Sequence, residues 1–463
     1  MSNSSHATEP RLGLFERFLH SEVAGSVVLL TCTLVALVWA NSPWAEAYSH
    51  ILHTKIGISW GGAAYALSVH HWINDGLMVI FFFVVGLEIK REVLVGRLSS
   101  LKRAILPVMA ALGGMVCPAI LYAVLNAGSE GARGWGVPMA TDIAFALGVL
   151  AILGRRVPTA IKIFLTAAAI ADDLGAVVVI ALFYTEQVRL GAVFAALLLL
   201  GLLYFASRVL RIRRLGILLP LIAGIWLAVF ASGIHATVAG ILVALLVPIK
   251  PIAEPRSLLA LIEDKVHWLR GAKVTAQSVV FDEEQLEAIV EVEESARQMQ
   301  PAGLRLERYW HPVQAFFILP LFALANAGVR LDQGIFQAVA SPIGLGVILG
   351  LFIGKQVGFL LFSWLAIRSG QAELPDGVAW RQIWGVSCLA GIGFTMSLFV
   401  AELAFQSEAA MATAKVGILV ASLISAVVGY VVLYVALPKD QGAVPPHSAR
   451  AVSSAQPYPE HRV

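Results

Sequence analysis

Residues 159–184 read TAIKIFLTAAAIADDLGAVVVIALFY, an apolar run with two adjacent aspartates, Asp172 and Asp173, near its middle. A run of this length fits a transmembrane helix, which needs about 20 apolar residues to cross the hydrocarbon core. On insertion scales a charged side chain at a helix centre costs about 2.5–3.5 kcal/mol. Two such residues in one span therefore predict a functional site that binds protons or cations.

The whole chain has the composition of a polytopic membrane protein. Of its 463 residues, 58% are hydrophobic and only 14% are charged, and the mean hydropathy is +0.80. A soluble domain is about 25% charged, so a water-soluble globular protein is excluded. Three cysteines exclude a disulfide scaffold, and a net charge of +3 without a basic stripe argues against a nucleic-acid partner.

Apolar runs of this length predict helices, because backbone polar groups in lipid must be satisfied within their own segment. We predict an all-α protein with about twelve transmembrane helices, near residues 12–40, 70–94, 104–125, 134–154, 159–184, 190–208, 214–232, 236–250, 311–329, 341–367, 382–405 and 414–437. Basic residues concentrate in the loops after even-numbered spans, so both termini are expected in the cytoplasm.

The chain divides into four parts. Helices 1–8 are expected in residues 1–251 and helices 9–12 in residues 307–438. Residues 252–306 predict a cytoplasmic acidic insertion with a short amphipathic helix, either a solvated linker or a regulatory element. Residues 439–463 are polar and proline-containing, and they predict a disordered cytoplasmic tail.

Spans 3–5 and 10–12 show a weak internal symmetry, because each group has a middle helix interrupted by small residues or proline. The interruption contains Pro138 in span four and Gly391, Gly393 and Thr395 in span eleven. Three spans per repeat invert one repeat relative to the other, and interrupted helices at matching positions indicate a transporter binding site. For the glycines, close helix packing is an equally good explanation.

Four ionisable residues lie near the middle of apolar spans: Asp142, Asp172, Asp173 and Lys355. Three acids against one base leave surplus negative charge, which must bind a proton or a cation. Carboxylate oxygens suit a hard alkali cation. A site that holds either the cation or protons is an antiporter once it alternates between the two sides. The adjacent aspartates point about 100° apart, so one can line the cation site while the other faces the lysine, in either order.

The interrupted helices also suggest partners for these charges. Half-helix N-termini carry partial positive charge, which Asp142 is placed to neutralise, and C-termini carry partial negative charge, which Lys355 is expected to neutralise. Thr141 and Thr395 are expected to offer hydroxyls or carbonyls to an ion.

At these residues the sequence resembles the bacterial NhaA sodium/proton antiporter family, from roughly Phe18 to Leu437 apart from the insertion. The motifs that carry the resemblance are Asn74–Met78, Gly86–Glu92, Ala140–Phe145, Ala171–Ala176, Ser232–Thr237, Leu319–Gly328, Gly354-Lys355 and Gly391–Ser397.

The resemblance implies an inverted-repeat fold and electrogenic export of Na+ or Li+ in exchange for protons across a bacterial inner membrane, which regulates cytoplasmic pH and sodium. It implies no cofactor, and a homodimer in the lipid bilayer is possible. The second aspartate of the pair, Asp173, maps to the main Na+ ligand, while Asp172 joins the site and pairs with Lys355. Asp142 and Thr141 map to the crossing of the interrupted helices.

The resemblance also maps a pH-sensing cluster, for which an ordinary interfacial charge network is the alternative. Its members are Glu88, Arg91, Glu92, Glu307 and His311, with His235 on the opposite side. Well-known family members have Glu-His-x-x-His where this chain has Arg308 as the second residue. Arginine does not titrate near physiological pH, so the pH profile of those family members cannot be transferred to this chain.

Three other functions are weaker. A sodium-coupled solute symporter needs a larger polar cavity, and the spans hold few spare polar groups. An intramembrane aspartyl protease needs two carboxylates that face each other from different helices, such as Asp142 and Asp172. A passive channel does not need carboxylates that hold a proton. We therefore expect a transporter and not an enzyme.

Overall fold

The computed structural model describes residues 22–60, 63–185, 188–210, 215–249, 255–272, 282–330 and 334–438. The expected tail, residues 439–463, and the first part of the first expected span, residues 12–21, lie outside these ranges.

The first half of the chain forms helices and one β-hairpin. In chain order these are α1 (Glu22–Ala40), α2 (Ala45–His53), β1 (Lys55–Trp60), β2 (Ala63–Ser68), α3 (Val69–Leu94), α4 (Leu101–Leu125), α5 (Ile143–Ile152), α6 (Thr159–Phe183), α7 (Leu190–Val209), α8 (Leu215–Ala231) and α9 (Thr237–Leu246). Short 3-10 helices cover Arg97–Ser99, Glu130–Met139 and Gly154–Arg156. The sequence analysis did not anticipate the antiparallel β1–β2 hairpin.

The second half is helical within the described residues. Its helices are α10 (Pro255–Gly271), α11 (Glu283–Met299), α12 (Ala302–Val313), α13 (Leu319–Asn326), α14 (Ile335–Ala340), α15 (Pro342–Arg368), α16 (Trp380–Ala390), α17 (Phe394–Ala404) and α18 (Glu408–Ala436). A π-helix, Gln314–Ile318, joins α12 to α13, and π-helical turns also occur within α3, α7 and α15.

Helices occupy each of the twelve expected positions, as far as the described ranges extend. Seven helices are each long and apolar enough to cross a membrane: α1, α3, α4, α6, α7, α15 and α18. Two further expected spans are pairs bent at a short break, by 45° between Glu130–Met139 and α5 and by 44° between α16 and α17. The chain is thus a polytopic helical membrane protein. That α8, α9 and the α12–α13 segment also cross the membrane stays a prediction.

Glycines allow α4 and α15 to pack backbone against backbone. A Cβ atom on Gly113 would lie 2.1 Å from the carbonyl oxygen of Gly358, and one on Gly358 would lie 2.0 Å from the carbonyl oxygen of Gly113. Small residues at interfaces allow this close approach in membrane helices. The contact holds Lys355, three residues before Gly358, against α4, where its aliphatic chain passes Gly114.

The acidic insertion contains more structure than the sequence predicts. Its expected amphipathic helix is α11, and a second helix, α10, packs against it as a helical hairpin. Lys265 and Glu291 join the two helices, with 2.5 Å between Nζ and Oε2. The division of the chain into membrane and cytoplasmic parts stays a prediction.

The α4–α15 contact yields a prediction about stability. Gly113→Ala forces the two backbones apart and should destabilise the protein by about 1–3 kcal/mol. The control is Gly201→Ala in α7, where a Cβ atom meets nothing within 4 Å. It should be neutral or stabilise the protein by up to about 1 kcal/mol, because alanine favours helix. Thermal unfolding midpoints in detergent measure both changes, and a smaller loss for Gly113→Ala than for Gly201→Ala contradicts this account.

Candidate functional site

The two interrupted helices meet at their interruptions, a region that we call the crossing (residues 140–142 and 391–393). The backbone N–H of Asp142 donates to the carbonyl of Ile392 at 2.6 Å. A Cβ atom on Gly393 would lie 3.1 Å from the Ala140 carbonyl oxygen, and one on Gly391 would lie 2.5 Å from the Leu351 carbonyl oxygen. Both glycines are therefore needed for the close approach of these backbone segments. Pro138 lies inside the preceding 3-10 helix rather than at the break itself.

One carboxylate caps the half-helices on both sides of the crossing. The Asp142 Oδ1 accepts from the Phe145 N–H at 3.1 Å, in the first turn of α5. Its Oδ2 accepts from the Thr395 N–H at 3.0 Å and from the Thr395 hydroxyl at 2.5 Å, in the first turn of α17. A carboxylate is stabilised where the partial positive ends of two helices converge. Asp142 therefore lies where the sequence analysis placed it, between the half-helix N-termini.

Lys355 pairs with Asp172 in the interior. Its Nζ lies 2.6 Å from Asp172 Oδ2 and donates to the Thr141 hydroxyl at 2.9 Å. The Thr141 hydroxyl in turn donates to the Ala390 carbonyl at the end of α16, at 2.8 Å. Lys355 therefore reaches the C-terminal end of α16 through the Thr141 hydroxyl. That it neutralises the helix C-termini stays a prediction.

Asp173 has a different environment from its neighbour. It is buried, and no hydrogen bond to its Oδ1 occurs within the described part of the chain; the same holds for Asp172 Oδ1. An unsatisfied buried oxygen is costly, by about 1–3 kcal/mol or more when charged. The structure therefore resolves the alternative left open by the sequence: Asp172 faces Lys355, and Asp173 does not.

The buried charges at the site do not balance. Asp142, Asp172, Asp173 and Lys355 are each only 1–2% exposed. Three carboxylates and one ammonium leave two negative charges uncompensated if all four groups are ionised. Unpaired charge in a low-dielectric interior is strongly disfavoured, so the group favours taking up protons or a cation.

A narrow crevice reaches the Asp172–Lys355 pair and bears on the alternative functions. Besides those two residues and Thr141, its walls are small or apolar: Ala111, Leu165, Ala168, Ala169, Phe359 and Ala390. In this conformation the crevice has no room for a water molecule. The protease alternative fails here, because Asp142 bonds to helix termini and Asp172 to Lys355 rather than to each other.

The structure brings part of the expected pH-sensing cluster together at the end of α3. Arg91 Nε lies 3.2 Å from Glu307 Oε2 of α12, and Arg91 Nη1 lies 3.5 Å from Glu92 Oε1. Glu88 lies one turn earlier on α3, and His311 is exposed one turn after Glu307. Burial raises the pKa of the Glu307 carboxyl above its ordinary value, although the charge of Arg91 acts in the opposite direction.

The remaining expected member, His235, lies away from this cluster. Its Nε2 is 3.4 Å from Asp75 Oδ1, and its Nδ1 is 2.8 Å from the Thr237 hydroxyl. A further ion pair, not predicted from the sequence, joins Glu402 of α17 to Lys415 of α18, with 2.7 Å between Oε1 and Nζ. An acid and a base inside the apolar segments of the last two spans were the available signal.

Comparisons with known proteins show which family the chain resembles. Residues 16–433 match the family described as Na+/H+ antiporter 1. Among similar curated proteins, the Na(+)/H(+) antiporter NhaA 1 of Saccharophagus degradans is 46% identical over 422 residues, 91% of each chain. The Na(+)/H(+) antiporter NhaA of Sulfurimonas denitrificans is 44% identical over 90% of this chain and 94% of its own. That of Bordetella parapertussis is 45% identical over 92% of this chain and 98% of its own.

The capping of α17 yields a prediction. Thr395→Val removes the hydroxyl from Asp142 but keeps the backbone N–H, and it should cost about 1–2 kcal/mol of unfolding free energy. Thr413→Val is the control, because that hydroxyl bonds to Ala409 within its own helix. It should cost about 0.5 kcal/mol or less. Chemical unfolding in detergent gives both values, and equal losses are inconsistent with the cap.

A second prediction concerns pH and stability. Because the folded state raises the pKa of Glu307 above its ordinary 4.5, the folded chain holds this proton more tightly than the unfolded chain does. The contribution of Glu307 to the unfolding free energy therefore falls as pH rises from about 4.5 through the raised value. Glu307→Gln should flatten that part of the stability profile. Glu287→Gln, at an exposed glutamate of α11, is the control. An unchanged slope in Glu307→Gln contradicts the assignment.

Proposed function

Because the chain belongs to the Na+/H+ antiporter 1 family, it exchanges Na+ for protons, and we propose that the exchange takes place at the buried carboxylates of Asp172 and Asp173. The observation that carries this proposal is the imbalance among the four buried charges, Asp142, Asp172, Asp173 and Lys355. Each aspartate presents an Oδ1 without a hydrogen-bond partner in the described chain. These oxygens are suited to a hard cation, and protons neutralise the same groups when the cation is absent.

The two aspartates have different roles in this proposal. Asp173 is the main Na+ ligand, since no ammonium competes for its charge, and Asp172 contributes its free oxygen. Lys355 balances Asp172 when Na+ is absent, at 2.6 Å. Na+ and protons therefore compete for one set of oxygens, and that competition makes the transport an exchange.

The crossing positions these ligands. Asp142 joins α5 to α17, and Thr141 joins Lys355 to the end of α16. The crevice at the Asp172–Lys355 pair has no room for a water molecule. A hydrated ion can therefore enter or leave only after helices move. Alternating access is thus part of the proposal, with the crossing as the element that moves with the site.

The orientation and the driving force complete the proposal. Basic residues in the loops after even-numbered spans support cytoplasmic termini in a bacterial inner membrane. Exposed apolar side chains on α7, such as Leu190 and Phe194, support contact with lipid. Net transfer of charge couples export of Na+ or Li+ to the membrane potential, at about 2.3 kcal/mol per charge per 100 mV. Within the described residues β1 and β2 pair only with each other, and their free outer edges support a homodimer.

The charge cluster at the end of α3 is the proposed pH sensor. Arg91 joins α3 to α12 through Glu307, so a change in the charge of Glu307 alters the contact between two helices. Glu88, Glu92 and His311 lie near that pair along the same two helices. Regulation of cytoplasmic pH and sodium follows if this contact controls the rate of exchange.

The proposed site is tested by neutralising single aspartates. In inside-out vesicles with an imposed pH gradient, adding Na+ should dissipate the gradient in the wild type. Asp173→Asn should abolish this response, because the main ligand and proton carrier is lost, and Asp172→Asn should reduce it strongly. The control is Asp282→Asn, which changes an aspartate in the acidic insertion and should retain the wild-type response.

Protein amounts in the membrane are matched by quantitative immunoblotting before rates are compared. If Asp172→Asn and Asp173→Asn both dissipate the gradient at the wild-type rate, the carboxylate pair is not the exchange site.

A further inference from the structure

Glu402, near the end of α17, lies between two basic side chains from different helices. Its Oε1 is 2.7 Å from Lys415 Nζ and 3.7 Å from His70 Nε2. The three side chains are only 11%, 13% and 22% exposed, respectively. The Glu402–Lys415 ion pair is costly to separate, because removing one partner leaves the other as an uncompensated buried charge.

Two asparagines fix the histidine ring in this arrangement. His70 Nε2 lies 3.0 Å from Asn326 Oδ1, to which it donates in the tautomer that carries a hydrogen on Nε2. Asn326 in turn donates to Asn74 Oδ1 at 2.9 Å. The ring of His70 is therefore held by α3 and α13 with its Nε2 atom 3.7 Å from Glu402 Oε1.

These residues belong to two neighbouring groups of closely packed helices, which meet in one continuous core. In the first bundle (α4, α6 and α15–α18), glycines bring neighbouring helices into contact: Gly113 meets Gly358, and Gly385 meets Leu433. Glu402 and Lys415 are part of this bundle, which also holds Asp172, Asp173 and Lys355 of the exchange site. The fourth charge, Asp142, is bonded to the bundle through Thr395 of α17.

In the second bundle (α1, α3, α9, α12 and α13), Gly86 of α3 meets Ala244 of α9, and Gly25 of α1 meets Ala315 between α12 and α13. His70 and Asn326 belong to this bundle. The contact between Glu402 and His70 therefore crosses from one bundle to the other.

The contact lies on one side of the exchange site. Glu402 is seven residues beyond Thr395 on α17, about 10 Å along the helix axis. Between them, Phe399 of the first bundle packs on Phe82 and Phe322 of the second, with ring centroids 5.3 and 6.3 Å apart. All three rings are buried, so they separate Asp142 from the end of the bundle where α3 begins, which we call the His70 face. The Arg91 face is the opposite end, where α3 stops.

We propose that Glu402 and His70 form a latch that holds the two bundles together at the His70 face and keeps this side of the exchange site closed. The proposal rests on the function proposed above, because a latch matters only if access alternates between the faces. Lys415 is a positioning residue that holds the Glu402 carboxylate toward the boundary. Asn326 plays the same part for the His70 ring.

The latch has opposite consequences at the two faces. Loss of the contact shifts the population toward conformations open at the His70 face, and apparent affinity follows the fraction of molecules that is competent to bind. The Na+ concentration for half-maximal exchange should therefore fall at the His70 face and rise at the Arg91 face. Damage to folding or to the ligands does not produce opposite shifts.

The test uses His70→Leu, which removes the N–H but leaves the Glu402–Lys415 pair intact. Half-maximal Na+ concentrations are measured separately at each face, in inside-out and right-side-out vesicles. We expect a decrease of about threefold or more at the His70 face and an increase of similar size at the Arg91 face. The matched control is His71→Leu, at an exposed neighbour whose ring contacts Ser68, and it should change neither value.

A second variant guards against failure of the first to fold. Glu402→Leu combined with Lys415→Met removes the acceptor oxygens without leaving an unpaired charge, and it should give the same opposite shifts. Unchanged values, or shifts in one direction at both faces, in whichever variant reaches the membrane overturn the latch. If Asp173→Asn still abolishes exchange in that case, the exchange site stands and only the latch fails; exchange that persists in Asp173→Asn overturns the site itself.

Discussion

The rest of the structure depends on one constraint, a shortage of buried positive charge among the four ionisable residues of the site. Asp142, Asp172 and Asp173 share one ammonium, Lys355, in an interior that water does not reach in this conformation. Asp142 is satisfied by two helix N-termini and a hydroxyl, and Asp172 by Lys355. The unmet demand for positive charge therefore falls on Asp173 and on the free oxygen of Asp172, where exchangeable ions are needed.

Two features of the fold reduce the free-energy cost of burying these carboxylates. Interrupted helices expose backbone N–H groups in the membrane interior, where continuous helices present none. Glycines at the crossing and along α4 and α15 let backbones approach closely enough to bring Thr141, Lys355 and Asp172 within hydrogen-bond distance. Helix ends and one ion pair thus offset part of the cost of burying these charges. The transported ions supply the positive charge that neutralises the rest.

Much of this arrangement could be predicted from the sequence, because charges inside apolar spans are rare enough to stand out. The helical positions, the two interruptions and the four ionisable residues were all accessible in this way. What could not be predicted depends on how helices rotate and pack. Only the way in which α6 and α15 both pack on α4 decides that Asp172 rather than Asp173 meets Lys355. The contact of Glu402 with His70 joins residues more than 300 positions apart, and the β-hairpin lacks a distinctive pattern.

The most direct measurement of the central claim is proton release on Na+ binding to the purified protein in weakly buffered detergent solution. If Na+ and protons compete for the same carboxylates, each addition of Na+ should acidify the solution until the site is saturated. Asp173→Asn should remove that acidification, whereas an equivalent addition of choline should never produce it. Na+ binding without proton release, or equal release from the wild type and Asp173→Asn, would contradict the account.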